Sequence, residues 1–562
     1  MKTRTRRTNR WSAIAAVVVV VAVTGLVSGC PDGSLLDVVQ PRVVDIDFAS
    51  GGSLAETTAL TIVFSRGMDP ESLELGGELG QRAAEEWSPG VALDGTQAQN
   101  INLTIRPSTT WPPGSNKRLT VACADPRGVF IDELHLAYGV LSGVVYVHAA
   151  EGLDTNPGTS DQPKKTIAAA VTTAEQHYET AEVHVAAGTY LVTGTTGVTR
   201  NISLYGGYAA SDWAVRDPDE HEAIWRNDSV SGDTSTVSYG DTTTAATIAG
   251  FTITTGSGSS STAISVSGGT VVISNNIIET GTPQHAAGVA VQGANVQIRE
   301  NLFRTSDVEG VVTCIVAADS TVTIADNRFD GAMIRDYYGI VLIECDEALV
   351  ERNHINAGQP LSFAVAIHAN GGSLTVRNNV ITAGNMHTDD ASGQYGVYLN
   401  RSSATLHNNT IDGGTGSSPD GIMTTAVMLH NQVNAVIENN VIFTRGGDLR
   451  TGIRQNDTAS FPVAFNNNVM FDCPDANYYY APDGTDYVTS VALLETFLAD
   501  NGVAVSGNAF EDSGALSSPP AFRPTADSPA SIRSGGRDLS AHFTDDIDGN
   551  QRSGWSAGAY EY

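Results

Sequence analysis

Basic residues, cysteines and long apolar runs are all scarce in this chain. Lys and Arg number 31 against 62 Asp and Glu, giving a formal charge of −31. A surface so poor in cations repels phosphate backbones and anionic headgroups, which excludes nucleic acid as a partner. Only five cysteines are present, and none stands in a CxxC spacing. That speaks against a structural zinc site, and 562 residues can bury a core without a disulfide scaffold. The one long apolar run, Ala13 to Val23, is too short for an ordinary transmembrane helix and follows Arg4, Arg6, Arg7 and Arg10. It reads as a secretory signal. Its removal, with Lys2, takes five positive charges and leaves the mature chain near −36.

What the sequence has in quantity is a repeat. Asn276, Asn301, Asn327, Asn353, Asn379, Asn409, Asn440, Asn468 and Asn508 recur, the first five at spacings of 25, 26, 26 and 26. Three residues before each stands an apolar residue, from Ile273 to Val505, and two after stands another, from Ile278 to Phe510. A fixed period of this size marks a solenoid, and the alternation within each unit marks strands. At a corner of each coil, an amide can bond the amides of the coils above and below and so build a ladder. Asn also tolerates the left-handed backbone that such a corner needs.

Residues 141–562 resemble the right-handed parallel β-helix family, the architecture of pectate lyases and many bacterial surface proteins. The resemblance rests on more than the repeat: Val145-Tyr146-Val147, Asp154 to Thr159 and Pro163 to Ala170 look like the opening of secreted β-helix proteins. Val183 to Tyr190, Leu204-Tyr205-Gly206-Gly207-Tyr208, and the ending from Ser528 to Tyr562 continue the likeness. Val27-Ser28-Gly29-Cys30 is similar to the bacterial lipoprotein box, in which the Cys becomes the acylated first residue. More than one acyl chain anchors firmly, at about 0.8 kcal/mol per buried methylene. The resemblance therefore implies export to the bacterial cell envelope and membrane attachment through lipid on Cys30.

The expected fold is all-β, a right-handed parallel β-helix preceded by a small Ig-like β-sandwich. Its divisions are a signal peptide at 1–29, a tether at 30–40, the sandwich at 41–140, the β-helix at 141–510 and a capping tail at 511–562. Short alternating runs such as Leu60 to Ser65 and Asn102 to Ile105, separated by Pro and Gly, carry the sandwich reading. Phe64 to Pro70 resembles bacterial Ig-like spacer domains. The helical period from Lys164 to Tyr178 is suited to covering the first coil's open edge.

Function has to come from outward side chains, because this fold hosts lyases, hydrolases, adhesins and spacers. Counting back from each Asn, positions −12 and −10 point inward. They run from Val289 and Val291 through Val341 and Ile343 to Met428 and His430, which makes His430 a core residue. Positions −11 and −9 point outward and place Glu344, Asn370, Asn400 and Asn431 in one polar stripe, with His368 and Tyr398 beside it. Amides and aromatics in a shallow row suit sugars; an exposed sheet face with a second stacking ladder accounts for them equally. Asp389 and Asp390, on the longest loops, could bind calcium or act as acid and base. Arg335 to Tyr338 reads as a further loop insert. Asp546, Asp548 and Asn550 around Gly549 look like part of a calcium loop, but its closing Glu is missing. No cofactor is required, and calcium stays open as one.

Polygalacturonases carry Gly-His-Gly and Arg-x-Lys, and neither occurs here. The leading expectation is a non-catalytic, surface-anchored lipoprotein that presents its β-helix to glycans or another cell-surface partner, or serves as an envelope element. The competing one is a polysaccharide lyase or glycoside hydrolase using His368, Tyr398, Asp389 and Asp390.

Overall fold

The computed structural model describes residues 40–230, 232–387, 393–417, 421–486 and 490–562; Cys30 and the leader lie outside them. Residues 43–141 form two four-stranded sheets. One holds Val43–Ile46, Leu60–Phe64, Gln97–Pro107 and Ala83–Val91 in that order; the other holds Ser53–Ala55, Leu134–Leu141, Gly114–Ala122 and Glu74–Gly76. Alternate residues of the facing strands (Leu60, Ile62 and Phe64; Leu103 and Ile105; Leu119 and Val121) share one core with the fully buried Trp111. The indole N–H of Trp111 donates to the Thr58 carbonyl at 2.7 Å, so its burial leaves that nitrogen paired.

From Val144 onward the chain coils into three parallel sheets. Sheet I runs from Val144–Val147 to Ala504–Ser506, sheet II from Gly188–Val192 to Ala509–Phe510, and sheet III from Thr196–Val198 to Ala476–Tyr480. Each complete coil contributes one strand to each, and their inward residues form a single continuous core. Helix Ile167–His177 covers the first coil with Ile167, Ala170, Val171 and Ala174, its first turn capped by Thr166 Oγ1 accepting from Ala169 N–H at 3.2 Å. Helix Val491–Asp500 closes the other end with Leu494 and Leu498. Both open ends of the stack are thus covered. Arg335 to Tyr338, expected as a loop insert, lies within the sheet III strand Met333–Ile343; Tyr337 is buried in the core with its hydroxyl 3.7 Å from Cys314 Sγ. Cys123, Cys314, Cys345 and Cys473 are all buried free thiols.

The repeating Asn occupies the corner between sheets I and II. In each coil its backbone N–H and Nδ2 both donate to Oδ1 of the next coil's Asn; for Asn327 to Asn353 these distances are 2.9 and 3.0 Å. Nδ2 also donates to the carbonyl two residues back and to one in the coil below. The left-handed residue, however, is not this Asn but the one before it: Asn275, Glu300, Asp326, Arg352, Asn378, Asn408, Asn439 and Asn467 have φ between 52° and 59°. That residue reverses the chain and throws its own side chain outward, while the ladder Asn keeps its amide inside the stack.

In the later coils this outward position is itself Asn, and it holds the tail. Asn378 Nδ2 donates to the Asp545 carbonyl (2.9 Å) and its Oδ1 accepts from Arg552 (2.8 Å). Asn408 Nδ2 donates to the Ser556 carbonyl, Asn439 exchanges two bonds with the Arg537 backbone, and Asn467 Nδ2 donates to the Gly535 carbonyl. The tail folds back along the coils, packing Phe522, Ile532, Ile547 and Tyr560 on Val441, Phe443, Val469 and Phe471 of sheet II. The Asp546 segment is a hydrogen-bonded turn: Asp546 accepts from the Asp548 and Asn550 N–H groups, and Asp548 pairs with Arg523. Beside the doublets, Glu438 of sheet I binds Arg537 of the tail at 2.8 Å, with Asn466 and His407 on its other sides. Burial would raise the Glu438 carboxyl, but the neighbouring His407 ring, the Asn466 hydrogen bond and the Arg537 charge win and hold it at about 2.

Two outcomes test this account. Asn353→Ala strands the Asn327 donors in a dry corner and should cost about 3 kcal/mol in chemical denaturation; a loss below about 1 kcal/mol would contradict a continuous ladder. Because the Glu438 carboxyl is depressed, its contribution to tail docking is complete above its ordinary value of 4.5 and is lost as pH falls toward about 2. Limited proteolysis of the tail should accelerate across that window, and Glu438→Gln should flatten the dependence.

Candidate functional site

The outer face of sheet III is only partly open: Val365, Tyr395, Met428, Thr425 and Thr451 are buried, while His368, Asn370, Tyr398, Asn400 and Arg454 are half-buried. Its register decides which side chains stand together. One row across consecutive coils reads Val341, His368, Tyr398, Met428, Arg454 and Tyr479. A second reads Tyr338, Val365, Tyr395, Thr425 and Thr451; a third reads Ile343, Asn370, Asn400 and His430. The side chains between these rows, among them Ile340, Leu342, Val397, Leu399, Val427 and Leu429, point into the core. Strand alternation thus builds a ringed and amide-bearing surface on a rigid apolar base.

The rings touch in sequence. His368 stacks on Tyr398 at 5.0 Å between centroids, Tyr398 on Tyr395 at 5.3 Å, Tyr395 meets Phe363 at 5.7 Å, and Phe363 meets Tyr338 at 5.6 Å. Met428 fills the row behind Tyr398, and Arg454 lies 5.0 Å over the Tyr479 ring. Along the edge, Asn431 Nδ2 donates to Asn400 Oδ1 and Asn400 Nδ2 to Asn370 Oδ1, both at 3.1 Å; Arg401 also donates to Asn370 Oδ1 at 3.0 Å. Asn400 and Asn431 each spend one N–H in this chain and keep a second, and Asn370 enters it only as an acceptor. His368 Nε2 is buried and has no hydrogen-bond partner among the described residues. Burial holds its imidazole below the ordinary 6.5, in the neutral form at pH 7.

The stripe expected from counting back differs in two coils. Glu344 and Asn431 do not stand level with Asn370 and Asn400; the register puts Ile343 and His430 there. Glu344 and Asn431 sit one residue later, at left-handed positions of φ 49° and 56° that follow the strand. Each of these two coils has an extra left-handed residue in the next turn, Glu347 or Gln432, so a count from the ladder Asn slips by one. For the same reason Val341, Ile343 and Met428 face outward, and His430 is no core residue: its Nδ1 lies 3.2 Å from Asn456 Nδ2 on the surface. The Glu344 carboxylate packs over Gly371, where any Cβ would collide with it. Sequence reasoning missed Tyr395, Met428, Arg454 and Tyr479, all of which follow once the register is corrected.

Asp389 and Asp390 lie outside the described residues; the strand before them, Asn385–His387, pairs in parallel with Thr415–Ser417 as a separate two-stranded sheet. Among the described residues no group of three or more His, Cys, Asp or Glu is placed to hold a metal, and no helix is long and apolar enough to cross a membrane.

Residues 237–411 match the family model described as right handed beta helix region, so the solenoid is a right-handed parallel β-helix. No curated protein sequence matches the chain. Two solved structures align at 10% identity: a family 28 exopolygalacturonase of Yersinia enterocolitica (77% of this chain, 92% of that one, TM-score 0.25) and the catalytic domain of a GH87 alpha-1,3-glucanase in complex with nigerose (78%, 91%, 0.27). Likeness this distant carries no argument about what the present chain does.

The face itself makes a measurable prediction. In an NMR titration of the folded chain, His368 should titrate below 6.5; a value at or above that would mean the ring is solvated rather than packed on Tyr398.

Proposed function

We propose that the protein is a lipid-anchored component of a bacterial envelope that binds glycan chains on the outer face of sheet III. The N-terminal sandwich, read as an Ig-like module, holds the β-helix away from the membrane. The observation that carries this reading is the stacked row His368, Tyr398 and Tyr395 beside the amide row Asn370 and Asn400. The outward rims of the half-buried His368 and Tyr398 rings give a sugar an apolar bed, while the spare N–H groups of the amide row meet its hydroxyls. Rows repeated at the strand spacing, about 4.8 Å, suit an extended polymer rather than a compact ligand.

The competing reading, a polysaccharide lyase or hydrolase, needs carboxylates free to act. One near the edge of this face is already engaged: Asp457 accepts from the Asn431 N–H at 2.6 Å and from Ser460 at 2.8 Å. Glu344 lies over Gly371. That leaves Glu344, Asp389 and Asp390 as the candidates for chemistry.

Calorimetry against a polysaccharide panel, with mass spectrometry of the same mixtures and with or without calcium, separates the readings. Binding without new oligosaccharides, weakened about tenfold or more by Tyr398→Ala, is the expected outcome. Released fragments that vanish on Asp389→Ala or His368→Ala would make the protein an enzyme.

A further inference from the structure

A separate concavity of about 620 Å³ opens between the sheet II–sheet III edge and the C-terminal tail. Its volume lies within the range of small-molecule sites, about 300–1,000 Å³. Arg445 forms part of its lining, and three contacts fix that guanidinium. Nε donates to Asp412 Oδ2 at 2.7 Å, Nη2 donates to Thr382 Oγ1 at 3.2 Å, and the group lies 5.5 Å from the ring centroid of the tail's Phe522. Asp412 is fully buried and also accepts from the Thr382 hydroxyl (2.6 Å) and the Gly414 N–H (2.9 Å). An arginine held this firmly presents its remaining N–H groups in a fixed direction.

The rest of the lining is polar but almost uncharged. Asn385 contributes a carbonyl oxygen that is buried and has no hydrogen-bond partner among the described residues. Gln359 adds an amide, and the tail's Pro519 and Pro520 add an apolar wall. The Arg445 charge is already met by Asp412, and the other charged lining residue is Asp307. With two acids to one base, the concavity has no surplus positive charge for a carboxylate or sulfate. A fixed donor and an orphaned acceptor lining one concavity are instead the complement of hydroxyl groups, which donate and accept at once.

Building on the glycan reading above, we propose that this pocket is a second saccharide site that holds one uncharged sugar unit and is completed by the docked tail. The sugar's hydroxyls take an Arg445 N–H and supply the donor that Asn385 Oδ1 lacks, while its C–H face lies on the two prolines. Specificity follows from charge: a uronate carboxylate brought to the same place would meet Asp307 and Asp412 with no cation to spare.

The test is calorimetry and saturation-transfer NMR on the full chain in detergent. The probes are neutral oligosaccharides of glucose, mannose, xylose and galactose, with trigalacturonate as the charged counterpart. Asn385→Ala and the more exposed Gln359→Ala are the variants, their folding checked by thermal melting, and Tyr398→Ala is the control on the sheet III face. The expected result is a neutral oligosaccharide that binds at least tenfold tighter than trigalacturonate and loses about tenfold in affinity with Asn385→Ala or Gln359→Ala, whatever Tyr398→Ala does. Binding lost with Tyr398→Ala but untouched by both pocket variants would overturn the pocket and leave the sheet III reading standing. Tighter binding of trigalacturonate would overturn its neutral character. Failure of every saccharide to bind would overturn both sites together.

Discussion

The surface of the coils from Asn276 onward depends on the asparagine column at one corner of each coil. Each Asn donates twice to the next, from backbone and side chain, and each Oδ1 therefore serves two donors. A shift of one residue in any coil would break those bonds and turn that strand's apolar set outward. The ladder thus fixes axial register as well as the corner, and register is what brings residues 25 to 31 positions apart in the chain into a straight row. The stacked phenyl pair Phe303 and Phe329, 4.7 Å apart and 7° from parallel, shows the same registration inside the core.

The position just before the ladder Asn has a different task. It must adopt a left-handed backbone, which Asn, Asp and a few others reach at modest cost, and its side chain is free to face outward. In the earlier coils it is Asn275, Glu300, Asp326 and Arg352; in the later coils it is Asn378, Asn408, Asn439 and Asn467. The tail is first met by Arg352, which donates to Asp545 Oδ2 at 3.0 Å, and from the next coil on the position is Asn throughout. An outward amide can both donate to and accept from a backbone, so a run of them docks a segment with little regular structure of its own. The tail covers Phe443 and Phe471 of sheet II, which would otherwise be an exposed apolar patch.

The period, the apolar pairs and the strand character were legible in the sequence because they are set by short-range alternation repeated many times. The fold class followed from them. Phase within a coil was less legible. A count from the ladder Asn holds wherever the turn after sheet III keeps its length, so Asn370 and Asn400 were placed level with each other. It fails at Glu347 and Gln432, single additions in a surface turn that disturb no apolar pattern and leave no local mark. Glu344, Asn431, His430 and Met428 were misplaced for that reason. The doublets Asn378-Asn379, Asn408-Asn409, Asn439-Asn440 and Asn467-Asn468 were plain in the sequence and could have been read as one inward and one outward amide. What they bind lies up to 174 residues away along the chain, and no periodicity encodes that.

Charge gives the last reason to regard the sheet III face as specialised. The chain holds twice as many acids as bases, yet the three rows from Tyr338, Val341 and Ile343 contain Arg454 and no carboxylate. Acidic groups stand instead at the turn beside the face, at Asp319, Glu344 and Asp457. A carboxylate within the rows would keep its hydration shell and resist the approach of a sugar ring, since an ion's desolvation costs several kcal/mol. An amide loses far less on the same approach and recovers it in hydrogen bonds. Where the surrounding charge repels polyanions, a neutral row of rings and amides is left as the surface against which an uncharged polymer can lie.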